Sequence, residues 1–563
     1  MTLESASPMN DPLALSVEDR AWVDRQLATL SVEDKIGQLF IFAAEQDTLE
    51  EIAGLAALKP GGIHRFPGHD LGKAWAATRA AIDSAETPVV ISGDIEGGTI
   101  SYRFSTAIPN QLGIAACDDL DLTAELARVV AEESAALGYN WSFTPVIDIN
   151  AAWRNPAVGT RSYGSDIARI GDQARAYIQA LQARGVAATA KHWPGEGYDD
   201  RDQHLVTTVN PLDMAAWEAS FGRLYRQVIA DGVMTVMSAH IALPAFVRSL
   251  LPDAGREAFR PASVSHLLNQ VLLRERLGFK GLIVSDATGM GGLTSWADRE
   301  ERVPAVIENG CDMFLFSRSP AEDVGLMMKG LREGRLSEAR LEAAVEKILT
   351  FKAKLGLHRM SADERLPPIE TVRERLSVPA NRSVAGQAAG QGITLVKDTQ
   401  GLLPLDPARH RRVVVIADAG WSFFIGAQPR DLDAFKDALR DEGFEVSDFD
   451  PDNRPTRADA DLIVYLAGQE ATPTIGNIFL DWGKLHGGSR KAMHRFGPEI
   501  PTLMISLGQP YYLFDAPDMA TYINAYCGLE SVQRALVPRL LGREPFSGVS
   551  PVDPFCGLEQ LKW

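Results

Sequence analysis

Over the first part of the chain, short apolar runs alternate with stretches in which apolar residues return every three or four positions. The runs lie at 36–42, 62–65, 88–94, 141–148, 186–192, 233–240, 281–286 and 312–316. A run too short for a helix and apolar throughout predicts a strand buried on both faces. The periodic stretches between them, at 122–137, 167–183, 212–231, 263–277, 303–309 and 321–333, predict amphipathic helices. Strands alternating with helices predict a parallel sheet covered on both faces. Eight such units predict a (β/α)8 barrel. An open doubly wound sheet is the alternative, but it rarely uses eight repeats of this kind.

The flanks complete the layout. Residues 1–15 read as loosely held. Ser16 caps a helix over 17–29, and Ser31 with Glu33 opens a short second one. Ser337 caps a helix over 338–355 that Gly356 ends. The barrel therefore takes residues 1–355. The stretch 356–380 has Pro367, Pro368 and Pro379, many charges and weak periodicity, and reads as a linker. Residues 381–563 resume α/β patterning, with strands expected at 393–397, 413–417, 462–467, 503–507 and 522–525 and helices at 383–391, 432–442 and 531–541. A smaller α/β sandwich domain, mainly parallel, is predicted. No glycine-rich phosphate loop opens any of its helices, so no nucleotide cofactor is expected.

Composition narrows the partners. The 563 residues carry a formal charge of -18 and a pI near 5.1, which argues against nucleic acid or an anionic membrane. Cys117, Cys311, Cys527 and Cys556 are far apart, so neither a zinc site nor a disulfide framework is expected. The N-terminal residues have no basic region followed by an apolar one, and a cytoplasmic location is expected.

The chemistry concentrates where the runs end. Asp94, Asp148, His192, His240 and Asp286 each close an apolar run, and in a parallel barrel such residues converge on one mouth. Some of them are expected to cap helices or pair with neighbours, Asp148 foremost. The stretch 190–204, AKHWPGEGYDDRDQH, is the densest. Lys191 and His192 end a strand, and Pro194, Gly195 and Gly197 force a loop. Asp202 and His204 near its end can form a carboxylate–imidazole pair for proton transfer. Asp286, in Asp286-Ala-Thr-Gly, is either a helix cap or a nucleophile.

Five stretches resemble glycoside hydrolase family 3, more narrowly its β-N-acetylglucosaminidase branch. Asp94-Ile-Glu-Gly-Gly98 is similar to D-x-E-G-G. Phe143 to Asp148, Asn155 to Gly159 and Arg161 to Gly164 resemble the family's barrel strand and arginine loop. Lys191-His-Trp-Pro-Gly-Glu-Gly197 resembles K-H-F-P-G-H-G. Asp202-Gln-His204 resembles D-S-H, and Gly278 to Asp286 resembles the segment ending in the nucleophile. The likeness extends to Val236–His240, to Ile505–Pro510 and to Ile523–Tyr526. The chain departs from the pattern at Glu196, Tyr198 and Ala287, where the family commonly has histidine, aspartate and an acidic residue. It also has about one extra residue before Arg103.

The resemblance implies a retaining, exo-acting hydrolase that removes terminal β-linked N-acetylglucosamine without a metal or other cofactor. Asp286 would be the nucleophile and His204, oriented by Asp202, the acid/base. Asp94, Arg161, Lys191, His192 and Arg103 would bind the sugar. Trp193 reads as core. Three alternatives stay open. One is a β-glucosidase-type enzyme drawing its acid/base from the second domain, for which Glu470 is the nominee. Another is a phosphorylase, since a histidine acid/base adds no second negative charge to repel phosphate. The third is a catalytically silent sugar-binding protein.

Overall fold

The computed structural model describes residues 11–66, 68–98, 104–421 and 431–563. Eight parallel strands form the first half: β1 (Phe40–Ala44), β2 (Gly62–Arg65), β3 (Val90–Gly93), β4 (Trp141–Ser142), β5 (Thr189–Trp193), β6 (Thr235–Ser238), β7 (Leu282–Ser285) and β8 (Phe314–Leu315). Ladders run β8-β1-β2-β3-β4 and β5-β6-β7. Single parallel bridges, Trp141 to Ala187 and Val284 to Met313, join the two sets. The Ser142 N–H donates to Ala187 O at 2.9 Å and the Ser285 N–H to Met313 O at 3.0 Å across these seams. The ring is thus a closed eight-stranded barrel with helices outside it.

The barrel is filled rather than hollow. Trp141 is fully buried, and its Nε1–H donates to Thr189 Oγ1 and Thr235 Oγ1, both at 2.9 Å. All eight expected strands are present; Gly62–Arg65 has the expected bounds and the others are shorter. The first begins at Phe40 because Ser31 accepts the Asp34 N–H and starts a helix, Val32–Gln38, that takes up Ile36. Ser16 and Ser337 cap Val17–Thr29 and Glu338–Lys354 as expected. The loosely held leader falls, up to residue 10, outside the described residues.

The stretch 356–380 is laid against the barrel rather than running free. It carries helices Ala362–Arg365 and Ile369–Arg375. Isolated apolar residues, Leu366 and Val372, are buried, and Trp75 Nε1–H donates to Pro367 O at 2.8 Å. Three or four anchors suffice where no continuous apolar face exists, which is why periodicity was weak.

The second sheet comprises β9 (Thr394–Asp398), β10 (Arg412–Asp418), β11 (Glu445–Asp448), β12 (Leu462–Ala467), β13 (Thr502–Ser506) and β14 (Thr521–Asn524), in the order β9-β14-β13-β12-β10-β11. Its ladders are parallel except β9 with β14. Alternate residues serve two cores: Val413, Val415, Leu462 and Val464 face one, Val414, Ile416, Ile463 and Tyr465 the other. The edge strand β11 was not expected, because its residues are mostly exposed and polar. Among the described residues no helix is long and apolar enough to cross a membrane.

Candidate active site

The C-terminal ends of the barrel strands bring the expected residues to one mouth. Asp94 follows β3, His192 lies in β5, His240 follows β6 and Asp286 follows β7. The buried Lys191, Glu96 and Arg161 and the partly exposed Asp94 form one network. Lys191 Nζ donates to Asp94 Oδ1 at 2.9 Å and lies 2.7 Å from Glu96 Oε1. Arg161 grips Glu96 through Nε and Nη2 at 2.7 and 2.8 Å, and its Nη1–H donates to Ala157 O at 2.9 Å. Burial alone pushes Lys191 and Arg161 toward neutrality. The carboxylates around them outweigh it, so both ammonium and guanidinium are held charged above their ordinary range. Arg161 therefore pairs with Glu96.

His64, at the end of β2, completes this side. Its Nε2 is 3.5 Å from Asp94 Oδ2, and its ring stacks on Phe143 at 5.1 Å. Burial pushes its pKa down to about 4, so the ring is neutral at pH 7. The half-exposed Phe66 and Phe316 flank it, at 4.5 and 4.7 Å between ring centres.

Asp148 holds His192. The His192 Nδ1–H donates to Asp148 Oδ2 at 2.6 Å, and the backbone N–H groups of His192 and Glu196 donate to Oδ1 at 3.1 and 2.9 Å. Glu196 is buried among Asp148, Asp202 and Asp286. Its burial first, and then those carboxylates, raise its pKa well above the ordinary value. Gln203 Nε2–H donates to Glu196 Oε2 at 2.9 Å. One donor atom each from Asp148, His192 and Glu196 lies within 4.8 Å of the others.

Two loops join the remaining groups. The His204 Nδ1–H donates to Asp202 Oδ1 at 2.6 Å, which leaves Nε2 as the ring atom free to exchange a proton. The loop is fastened to the one that bears Asp286: the Gly291 N–H donates to His204 O at 2.8 Å and the Gly292 N–H to Gln203 O at 3.0 Å. A Cβ at Gly291 would stand 2.2 Å from Leu205 O, so only glycine permits this approach. Asp286 is buried, and that burial raises its pKa. His192, His240, His204 and the Ala287 N–H outweigh it and keep the carboxyl ionised below its ordinary value. The Ala287 N–H donates to Asp286 Oδ1 at 2.7 Å, and His240 Nε2–H holds the turn through Ala287 O at 3.0 Å. An ionised carboxylate and a carboxylate-backed imidazole thus sit on two loops fastened to each other, the kinds of group that nucleophilic attack with proton transfer uses.

Trp193 is core, packed edge-on against Trp217 and Tyr225. Arg103 lies outside the described residues. Glu470 is buried and accepts the Gly528 N–H at 3.3 Å; a Cβ at Gly98 would stand 2.5 Å from its Oε2. Reasoning from sequence did not assign roles to Glu96, His64 or His240. Glu96 was visible within the D-x-E-G-G stretch; His64 carried no motif at all.

Residues 31–351 match the Glycosyl hydrolase family 3 N terminal domain. The chain is 38% identical over 562 residues to a "Beta-N-acetylglucosaminidase/beta-glucosidase" of Cellulomonas fimi, covering 97% of this chain and 98% of that relative. Among solved structures it is similar to a β-glucoside phosphorylase, BglX, with a TM-score of 0.90, 36% identity, and 98% of this chain and 99% of that one covered. A family 3 β-N-acetylglucosaminidase from Paenibacillus sp. str. FPU-7 shares the fold, with a TM-score of 0.76 at 22% identity over 93% of this chain and 99% of that one. The barrel with its second α/β domain, the gathered carboxylates and histidines, and these likenesses agree: the chain belongs to glycoside hydrolase family 3, enzymes that act on carbohydrate substrates.

Proposed function

We propose that the chain is a retaining, exo-acting glycosidase that releases terminal β-linked N-acetylglucosamine through a covalent glycosyl-aspartate. The observation that carries this reading is the Asp202–His204 pair, fastened by Gly291 to the loop that bears Asp286. Asp286 attacks the anomeric carbon as the bond to the leaving oxygen breaks, and His204 Nε2–H protonates that oxygen. The now neutral imidazole then takes a proton from water. The hydroxide so formed displaces Asp286 and restores the β configuration. Two inversions give net retention. Asp94, Lys191 and His192 hold the terminal sugar's hydroxyls, and Arg161 supports them from behind through Glu96. Arg103 is proposed for the same role on its motif alone. The relative named for both N-acetylglucosaminide and glucoside cleavage supports testing both sugars.

A second reading has its own support. A histidine acid/base becomes neutral once it has given up its proton, so no second carboxylate repels an incoming anion. The full-length likeness to a β-glucoside phosphorylase favours phosphate as the acceptor that opens the glycosyl-aspartate. The deciding experiment compares aryl β-N-acetylglucosaminide with aryl β-glucoside, each with and without inorganic phosphate. Faster release from the acetamido sugar, with the free sugar as product in both buffers, is expected. A sugar 1-phosphate as main product would establish the second reading, and turnover of neither substrate would overturn both.

A further inference from the structure

We propose that the second domain is a working part of the acid/base pair: the backbone N–H of Thr474 holds Asp202, and through it His204, in line with the leaving oxygen. The inference deepens the reading above and rests on it. Asp202 is buried, and its Oδ1 accepts both the His204 Nδ1–H at 2.6 Å and the His204 backbone N–H at 2.8 Å. Its Oδ2 accepts the Thr474 N–H at 2.7 Å, from a residue 272 positions away. With both oxygens taken, the carboxylate plane cannot turn without breaking a charge-assisted hydrogen bond, and that plane sets the direction of the imidazole. Burial would drive the Asp202 carboxyl toward its neutral form; the contacts from His204 and the Thr474 N–H keep it ionised.

The donor is held in a costly conformation. Thr474 has a φ of 72°, a left-handed setting in which a β-branched residue is a genuine outlier. Its turn is fixed from the barrel side: the Ala471 N–H donates to Thr160 Oγ1 at 2.9 Å and the Thr472 N–H to Pro156 O at 2.8 Å. Gln509 Nε2–H donates to Trp153 O at 2.7 Å beside it. These contacts all fall on the 153–160 loop, next to Arg161. The second domain thus contributes a backbone donor to the acid/base pair, with Glu470 four residues upstream packed against Gly98 instead.

The test replaces the amide at 474 by an ester, using the α-hydroxy analogue of threonine introduced by nonsense suppression in cell-free translation. The ester removes the N–H and keeps the side chain. Thr474→Gly keeps the N–H and suits the positive φ, and serves as the rescue control. The readout is kcat/KM on two β-glycosides of the preferred sugar, one with a nitrophenyl and one with an alkyl leaving group. The ester is expected to lose roughly tenfold on the alkyl glycoside, about the worth of one hydrogen bond to a charged group, and less than about twofold on the nitrophenyl one. Thr474→Gly should keep the parent's ratio. Equal losses on both substrates, or no loss, from the ester would overturn the inference. His204→Ala is measured alongside. If it too loses equally on both, the acid/base reading itself fails; if it is selective and the ester is not, only the role of Thr474 falls.

Discussion

Glu96→Gln keeps the shape of a buried side chain and removes its charge. In the parent, Glu96 accepts Arg161 Nε and Nη2 at 2.7 and 2.8 Å and lies 2.7 Å from Lys191 Nζ, with all three side chains buried. Glutamine offers one carbonyl in place of two carboxylate oxygens, and turns an NH2 toward a group that has only donors. Lys191 keeps Asp94 at 2.9 Å, while Arg161 keeps only Ala157 O. Breaking a buried pair from one side costs about 3–5 kcal/mol. With Lys191 still paired, the lower end, about 3 kcal/mol, is expected for the barrel. Burial raises the Glu96 carboxyl, but Arg161 and Lys191 outweigh it and hold the net value far below the ordinary 4.5. A carboxylate whose folded pKa is depressed stabilises the fold above its unfolded pKa and loses that contribution as pH falls toward the folded one. The deficit of the variant is therefore full at pH 7 and starts to shrink below pH 4.5. Urea unfolding read by tryptophan fluorescence measures it, the fully buried Trp141, Trp193 and Trp217 all lying in the barrel. With a slope of about 3 kcal/mol/M the midpoint at pH 7 falls by about 1 M. A midpoint within about 0.2 M of the parent's at pH 7 would show that Glu96 is not carrying the cations' charge.

Asp286→Ala should remove nearly all turnover, and added azide should restore activated-substrate cleavage with an α-glycosyl azide as product; a wild-type rate in the variant rejects the nucleophile assignment. Glu470→Gln should leave the ratio of rates on nitrophenyl and alkyl glycosides unchanged, whereas a loss confined to the alkyl substrate would move the proton donor into the second domain. Glu196→Gln tests the neutral carboxyl. Because the folded pKa of Glu196 is raised, the parent's stability from this group is full below the unfolded value and is lost as pH rises toward the folded one. Unfolding midpoints of variant and parent should therefore diverge in the variant's favour as pH rises from 4.5 to 7, and parallel curves would contradict the shift.

What the sequence determined was what local chemistry decides. Apolar runs and periodic stretches named all eight barrel strands, because a strand buried on both faces must be apolar throughout. Serine caps set the starts of Val17–Thr29 and Glu338–Lys354, since a cap acts within three residues. The polar ends of the runs marked the mouth, and the D-x-H spacing anticipated the pair now seen at 2.6 Å. The tertiary structure alone decided partners distant in the chain. Arg161 meets Glu96 across 65 positions; Thr474 reaches Asp202 across 272; the loop of His204 is pinned to that of Asp286 by Gly291. It also decided charge states, because burial and neighbours act together: the same residue type is pushed far down at Glu96, beside two cations, and well up at Glu196, among three carboxylates. No spacing rule encodes these contacts. They exist only once closing the barrel and docking the second sheet bring separate loops within hydrogen-bonding distance.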